Sequence, residues 1–152
     1  LTWPVRDELG NLTGFVARRL PGSGGRKYLY PAGFRRPLYP LDHFEGDHVV
    51  LVEGPLDAMW LHQGGHRDAL AMLGSDLNAD QRRWLVANVD QVTLLLDSDR
   101  TGRLVTRQVA RTLVMPRVRV VTLPGTVKDV QEVPLDELKA LLATAVDVIS
   151  VL

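Results

Sequence analysis

Residues 92–102 read VTLLLDSDRTG, an apolar run followed at once by two aspartates and then by a glycine. Residues 49–57 read VVLVEGPLD and repeat this arrangement, with Glu53 and Asp57 after the apolar run. Short apolar runs of this kind are typical of strands that are buried on both faces of a parallel sheet. The two stretches therefore predict two buried strands, each followed by acidic residues.

The same rhythm continues along the rest of the chain. Two more apolar runs lie at 69–73 and 118–123, and helical patterns lie between and after the runs, at 56–63, 79–88, 101–114 and 135–146. Asn78 is placed to cap the second of these helices. Strands that alternate with helices indicate βαβ units. We therefore predict an α/β fold with a central, mainly parallel sheet of about four strands flanked by helices.

The residues before this region follow a different pattern. WPVR and LTGFVARR flank the turn DELGN, where Gly10 and Asn11 can adopt the positive φ of a tight turn. A short extended piece follows at 27–31, and residues 34–48, with two prolines, are interpreted as a linker. A small β-hairpin segment is therefore expected to precede the α/β region.

The composition excludes several classes of protein. Of the 152 residues, 45% are hydrophobic and 24% are charged, as in ordinary globular domains, and none is cysteine, which excludes disulfide scaffolds, iron–sulfur clusters and thiol nucleophiles. No apolar run approaches the ~20 residues of a membrane span, and the start lacks the pattern of a signal peptide. These two absences lead us to expect a cytoplasmic protein. Because the chain begins without Met, we also expect it to be a piece of a longer protein.

The net charge is zero, but the charges are separated along the chain. Residues 6–36 carry seven basic side chains against two acidic ones, residues 49–99 carry eight acids against three arginines, and residues 100–119 carry six arginines and no acid. Separated zones of this kind bind charged partners although the total charge is zero.

Acidic residues follow three of the four predicted strands, at the edge where open α/β sheets bind their ligands. Asp97 and Asp99 are two residues apart in extended chain, so their carboxylates face the same side. Oxygen ligands without cysteine or clustered histidine suit Mg²⁺ or Mn²⁺ rather than zinc. A single acid after a strand is usually a loop residue or a helix cap, but the recurrence after three strands favours a metal site.

The motifs EGPLD, LLLDSDRTGR and LPGTVKD together resemble the Toprim domain of bacterial-type primases, topoisomerases, OLD-type nucleases and recombination proteins. This resemblance implies a Rossmann-like Toprim domain over residues 48–131. It matches the catalytic acids of the family to Glu53, Asp97 and Asp99. It also implies bound Mg²⁺ or Mn²⁺, with five metal ligands: Glu53, Asp57, Asp97, Asp99 and Asp129.

The stretches PVRDELGNLTGFVARRL, RKYLYP and FRRPLYPLD, in this order, resemble the segment that leads into Toprim in DnaG-type primases, and LGSDLNADQ resembles their segment after the second strand. Residues 1–47 are then the end of a basic primase-like subdomain and a linker. Residues 132–152 are a C-terminal helix that packs on or follows Toprim. The resemblance assigns contacts with nucleic acid or nucleotide to five residues: Arg6, Arg18, Lys27, Arg36 and Lys128.

The function implied by this resemblance is that of a DNA primase-like enzyme. Such a catalytic core fragment would synthesise short RNA primers from nucleoside triphosphates on single-stranded DNA as a metal-dependent nucleotidyltransferase. A replicative helicase, reached through domains outside this piece, is a further expected partner, and no membrane is expected. KDVQE at 128–132 is closer to phage and plasmid primase-helicases, so a mobile-element relative stays as an alternative to a housekeeping primase.

Two other functions stay open at this point. The same acids could hydrolyse a phosphodiester in a Toprim-type nuclease. Pro55, Ser98 and Gln131 depart from the family pattern, and Gln131 stands where primases often have an acid. Gln131 and the short length of the chain suggest a non-catalytic nucleic-acid-binding module as the third possibility.

Three weaker patterns are also weighed. The arginines of the helix at 101–114 are more simply a solvated face than a phosphate-binding stripe. His62 and His66 have the spacing of a helical metal pair, but the glycines between them are expected to end the helix. Tyr28 and Tyr30 are candidates for stacking on bases.

Overall fold

The structure is a computed structural model that describes residues 1–20, 22, 24–97, 100–113 and 116–148, with the backbone alone at residues 100 and 101. Asp99, predicted to be a catalytic and metal-binding residue, lies outside the described residues, as does the end of the predicted C-terminal segment. The described ranges contain no helix with the length and apolar character needed to cross a membrane.

A small antiparallel sheet forms at the N-terminus, as predicted. Its strands are β1 (Thr2–Arg6), β2 (Leu12–Arg18) and β3 (Tyr28–Leu29), in that order. In the β1–β2 turn, Oδ1 of Asp7 accepts hydrogen bonds from the backbone N–H groups of Leu9 and Asn11. Val5 and Val16 are fully buried because this sheet packs on the main body of the protein.

The main sheet has five strands, and its four predicted strands are parallel. These are β4 (His48–Val52), β5 (Ala69–Ala71), β6 (Gln91–Leu94) and β7 (Arg117–Val120), with β8 (Val146–Asp147) as the fifth. The strand order is β5-β4-β6-β7-β8, and β8 alone runs antiparallel to its neighbour. The mainly parallel sheet of the prediction is thus confirmed, with one added edge strand.

Helices cover both faces of this sheet. They are α1 (Pro55–Gln63), α2 (Ala79–Asn88), α3 (Arg100–Thr112) and α4 (Leu138–Ala143). α1 and α4 pack on one face, with Val50 and Val52 of β4, whereas α2 and α3 pack on the other face, with Val49 and Leu51. Because residues 49–52 of β4 are apolar and buried on both sides, this strand can lie in the middle of the sheet.

The C-terminal region differs from the single helix expected over 135–146. α4 is only six residues long, and the chain then extends to pair with β7. The pairing is reinforced by Arg117, whose guanidinium makes two hydrogen bonds with the Asp147 carboxylate, at 2.8 and 2.7 Å. The helical sequence pattern gives no information on this pairing, because Arg117 and Asp147 are 30 residues apart in the chain.

Residues 34–48 connect the two sheets and are firmly attached to the larger one. Leu38 and Tyr39 are buried in its core. The backbone of Tyr39 exchanges two hydrogen bonds with that of Ala71, at 3.0 and 2.6 Å, along the outer edge of β5. The side chain of Gln81, itself buried, donates to the carbonyl oxygen of Pro37 at 3.1 Å. The connection therefore fixes the small sheet against the parallel sheet.

Candidate active site

The strand order brings the acidic loops after β4 and β6 together. From β4 the chain moves to β5 on one side, and β6 then pairs with the other side of β4. Ligands of such sheets bind at the carboxyl ends of the strands where the direction of winding reverses. Glu53 directly follows β4, and Asp97 lies in the loop after β6, so the reversal point is where both carboxylates lie.

A cavity of about 280 Å³ lies at this edge and is lined from both sheets. The loops of the parallel sheet contribute Glu53, Asp57 and Asp97 to its wall. The region around β3 contributes Lys27 and two tyrosines, Tyr28 and Tyr30. The structure therefore joins three predicted metal ligands and one predicted nucleotide-binding residue in a single wall.

Asp57 is held by hydrogen bonds at both carboxylate oxygens. The Gly54 N–H donates to Oδ2 at 2.9 Å, and Nε2 of Gln131 donates to Oδ1 at 2.6 Å. Burial raises the pKa of Asp57, the two hydrogen bonds lower it, and nearby Asp129 raises it further. This carboxyl group thus ties the start of α1 to the loop after β7.

Asp129 lies behind Asp57 and shapes the loop that carries Gln131. Its Oδ1 accepts a hydrogen bond from the Gln131 N–H at 2.9 Å, at the start of a single turn of 3-10 helix over Val130–Glu132. Lys128 is exposed beside this turn, and the cavity wall does not include it among the described residues.

Asp97 is packed tightly against the first turn of α3. A Cβ atom at Gly102 would lie 2.1 Å from the carbonyl oxygen of Asp97. Only glycine allows the two backbones to approach so closely. The glycine of the DSDRTG motif therefore decides where Asp97 can lie.

The donor set of the cavity fits a hard divalent cation. Glu53 and Asp97 are half-buried carboxylates on neighbouring loops, and oxygen ligands of this kind are those that Mg²⁺ and Mn²⁺ prefer. Over the described ranges, which leave out Asp99, no group of three acidic or histidine side chains is close enough to hold a metal ion.

The predicted basic residues take different places around the cavity. The Lys27 ammonium and the Arg18 guanidinium each lie 5.7 Å from the centre of the Tyr28 ring. Nη1 of Arg18 is buried and has no hydrogen-bond partner among the described atoms. Burial, the largest influence, raises the pKa of Tyr28 to about 12, so its hydroxyl stays neutral at physiological pH. Two cations thus face the ring that lines the cavity.

Arg6 and Arg36 have partners within the protein. Nη1 of Arg6 donates to the carbonyl oxygen of Gly10 at 2.8 Å, within the β1–β2 turn. Arg36 forms an ion pair with Asp76 at 2.9 Å and lies behind the cavity wall, near Leu73. Neither side chain lines the cavity in the part of the chain that is described.

A second cavity, of about 460 Å³, also reaches Asp97. Arg103 and Arg107, exposed on α3, line it together with Thr122 after β7. Two arginines of this helix therefore line a cavity beside the acidic loop, next to the smaller one. His62, in contrast, has its Nε2 within 2.9 Å of the Ala69 carbonyl oxygen, and α1 ends at Gln63, before His66.

Sequence reasoning missed two parts of this site. One is Gln131, considered only as a departure from the family pattern, although it contacts Asp57. The other is the wall formed by Leu73, Gly74 and Ser75 after β5. The stretch LGSDLN was a signal for this wall, because it follows the second predicted strand at the ligand-binding edge of the sheet.

Comparisons with known proteins agree with this architecture. A profile of the Toprim-like family matches residues 50–134, more than half of the chain. The DNA primase of Deinococcus radiodurans is 34% identical over 110 residues, which are 66% of this chain and 19% of that protein. The chain thus spans about a fifth of the length of the curated relatives it matches.

Solved structures extend the similarity to the small N-terminal sheet. The zinc-binding and RNA polymerase domains of Aquifex aeolicus primase match with a TM-score of 0.85 and 26% identity over 99% of this chain and 41% of that one. A DnaG primase catalytic domain bound to ssDNA matches with a TM-score of 0.78 and 27% identity over 96% of this chain and 51% of that one. Since the family match runs from β4 to the turn before α4, which includes the whole parallel core, the chain belongs to the Toprim-like family.

Proposed function

We propose that this chain is the catalytic core fragment of a DnaG-type DNA primase, which joins ribonucleotides into short RNA primers on single-stranded DNA. The observation that carries the proposal is the shared cavity, where Lys27 and Tyr28 of the N-terminal segment lie in one wall with Glu53 and Asp97. The similarity to solved primase cores supports it, because that similarity covers the N-terminal segment as well as the Toprim part.

The metal would be Mg²⁺ or Mn²⁺, held by Glu53, Asp97 and Asp99, with Asp57 and Asp129 behind them. Bound there, such an ion would supply the positive charge that phosphoryl transfer from a triphosphate requires. Glu53 and Asp97 place negative charge on two sides of the strand-reversal point. The hydrogen bonds to Asp57 would keep the loop after β4, and with it Glu53, in position for metal binding.

Cations beside the acidic loops would hold the phosphates. Lys27 supplies a positive charge beside the acids, and Nη1 of Arg18 offers a buried donor that the described residues leave unused. A base could stack on the Tyr28 ring, as aromatic side chains do in single-strand binding proteins. Arg6, Arg36 and Lys128, which are outside the described lining of the cavity, would contact the template elsewhere on the surface.

In the complete protein we propose a cytoplasmic primase that meets a replicative helicase through domains outside this chain. The chain would supply the polymerising centre, whereas recruitment to the replication site would depend on those other domains.

The Glu53→Gln variant tests the proposal. It preserves shape but removes the negative charge and the proton-accepting oxygen. We expect labelled ribonucleotides to be joined on a single-stranded template by the wild-type chain with Mn²⁺, and this activity to fall at least ~100-fold in the variant. Glu45→Gln makes the same chemical change at an exposed position between the sheets and is expected to retain activity.

The assay also includes a labelled DNA strand that a nuclease could cut. Joining that is lost in Glu53→Gln and kept in Glu45→Gln supports the primase. Glu53-dependent cutting without joining would instead show a nuclease, and full joining activity in Glu53→Gln would remove Glu53 from the mechanism.

A further inference from the structure

Leu73 has a backbone conformation that is rare for leucine. Its φ is 58°, and within the described ranges it is the only residue other than glycine with a positive φ. In this conformation the Cβ of an L-residue crowds the following carbonyl oxygen. Backbone of this kind persists where the surrounding structure holds it, and such residues cluster at functional sites.

Two side chains from the N-terminal segment hold the Leu73 carbonyl oxygen. The Tyr30 hydroxyl donates to it at 2.7 Å, and Nη1 of Arg36 donates to it at 3.4 Å. The longer bond is the weaker one, and Arg36 is also paired with Asp76. Tyr30 is therefore the main anchor of this carbonyl group.

The anchor is itself fixed in place. The Tyr30 ring stacks on Phe34, with ring centroids 5.7 Å apart and planes inclined by 6°. Burial raises the pKa of Tyr30, while nearby Arg36 acts in the opposite direction, so the hydroxyl keeps the proton that it donates. Ring position and proton thus both favour the bond to Leu73.

Leu73 controls a wall of the candidate active site. Leu73, Gly74 and Ser75 line the same cavity as Glu53 and Asp97. The side chain of Leu73 is buried, with 1% of its surface exposed, so the turn at this residue sets the path of the two residues that follow.

We propose that Tyr30 is a positioning residue, whose hydroxyl holds Leu73 in its left-handed conformation and thereby sets the Gly74–Ser75 wall against which a nucleoside triphosphate binds. The identity of the nucleotide rests on the proposed function. The positioning of the wall rests only on the contacts around Leu73.

The first experiment measures the wall without any ligand. Backbone order parameters of Gly74 and Ser75 are compared by NMR in the wild-type chain, in Tyr30→Phe and in Tyr39→Phe. The control, Tyr39→Phe, also removes a tyrosine hydroxyl, but Tyr39 is not among the described residues that line the cavity. We expect the order parameters of Gly74 and Ser75 to fall from about 0.85 to below about 0.6 in Tyr30→Phe and to stay unchanged in Tyr39→Phe. Unchanged order parameters in Tyr30→Phe would overturn the proposal.

The second experiment measures binding of ATP with Mn²⁺. Loss of one hydrogen bond should raise the Kd about fivefold in Tyr30→Phe and leave it unchanged in Tyr39→Phe. In a Leu73→Gly background, glycine adopts positive φ without an anchor, so Tyr30→Phe should then change the Kd less than about twofold. An equal effect of Tyr30→Phe in both backgrounds would show that Tyr30 does not act through Leu73.

The two experiments separate the two proposals. If the wild-type chain binds no ATP, the proposed function fails, and the order parameters still decide the positioning role. The order-parameter experiment does not use Leu73→Gly, so its result does not depend on whether that variant folds.

Discussion

Replacing Gly102 with alanine would push the Asp97 loop away from α3. The added Cβ would lie 2.1 Å from the carbonyl oxygen of Asp97, 2.8 Å from its carbonyl carbon and 3.1 Å from its Cα. The backbones would have to separate by about 0.9 Å to bring the first contact to 3.0 Å, a distance that real contacts hardly ever undercut. Neither partner is a flexible side-chain end, so the shift must involve backbone.

Two effects oppose each other in this variant. Alanine favours a helix interior over glycine by ~1 kcal/mol. Overpacking against backbone costs about 1–3 kcal/mol, so we expect the free energy of unfolding to fall by up to about 2 kcal/mol. A displacement of about 1 Å at a reacting group can cost ~100-fold in rate, so we expect a loss of primer synthesis on that scale.

Urea unfolding, Mn²⁺ titration calorimetry and primer synthesis would be measured on the same samples. Gly125→Ala is the matched control, since a Cβ at Gly125 meets no atom within 4 Å and this glycine lines the larger cavity beside Asp97. The free energy of unfolding of Gly125→Ala should differ from that of the wild type by less than about 0.5 kcal/mol. Wild-type Mn²⁺ affinity and activity in Gly102→Ala would refute the view that this glycine places Asp97.

Three further predictions concern the core, a histidine and the basic wall. Leu61→Ala, at a fully buried position of α1, should lower the free energy of unfolding by about 2–5 kcal/mol in urea titrations. Burial lowers the pKa of His48 from 6.5, so the folded protein binds fewer protons than the unfolded chain, and stability should fall as the pH drops through about 6.5. His48→Gln should flatten that part of a stability–pH curve, and an equally steep curve would contradict this account. Lys27→Ala should weaken binding to single-stranded DNA and reduce the salt dependence of log K by about one unit of slope, whereas an unchanged slope would place Lys27 away from the phosphates.

The parallel sheet and the meeting of Glu53 with Asp97 were predictable because both follow from local patterns and one general rule. Apolar runs mark buried strands wherever they lie, and the carboxyl ends of parallel strands share an edge. The cap of α2 was predictable for the same reason, since Oδ1 of Asn78 accepts hydrogen bonds from N–H groups of its own helix, those of Asp80 and Gln81.

Contacts between distant segments could not be predicted in this way. Tyr30 and Leu73 are 43 residues apart, and Asp57 and Gln131 are 74 apart. A leucine with positive φ leaves no mark in hydrophobic periodicity, because its side chain is buried like that of any core leucine. The close approach at Gly102 depends on how α3 packs against the loop, which its residue types alone do not determine.

Short segments pair with the outer parallel strands of the main sheet, β5 and β7. Tyr39 pairs with Ala71 along one side, and β8 pairs with β7 along the other. Unpaired strand edges are templates for edge-to-edge aggregation, and short or irregular covering segments are a common protection against it. Shortened versions of this chain that lack residues 34–48 or 144–148 would therefore be expected to associate through bare strands, even where the acidic loops and the helices remain intact.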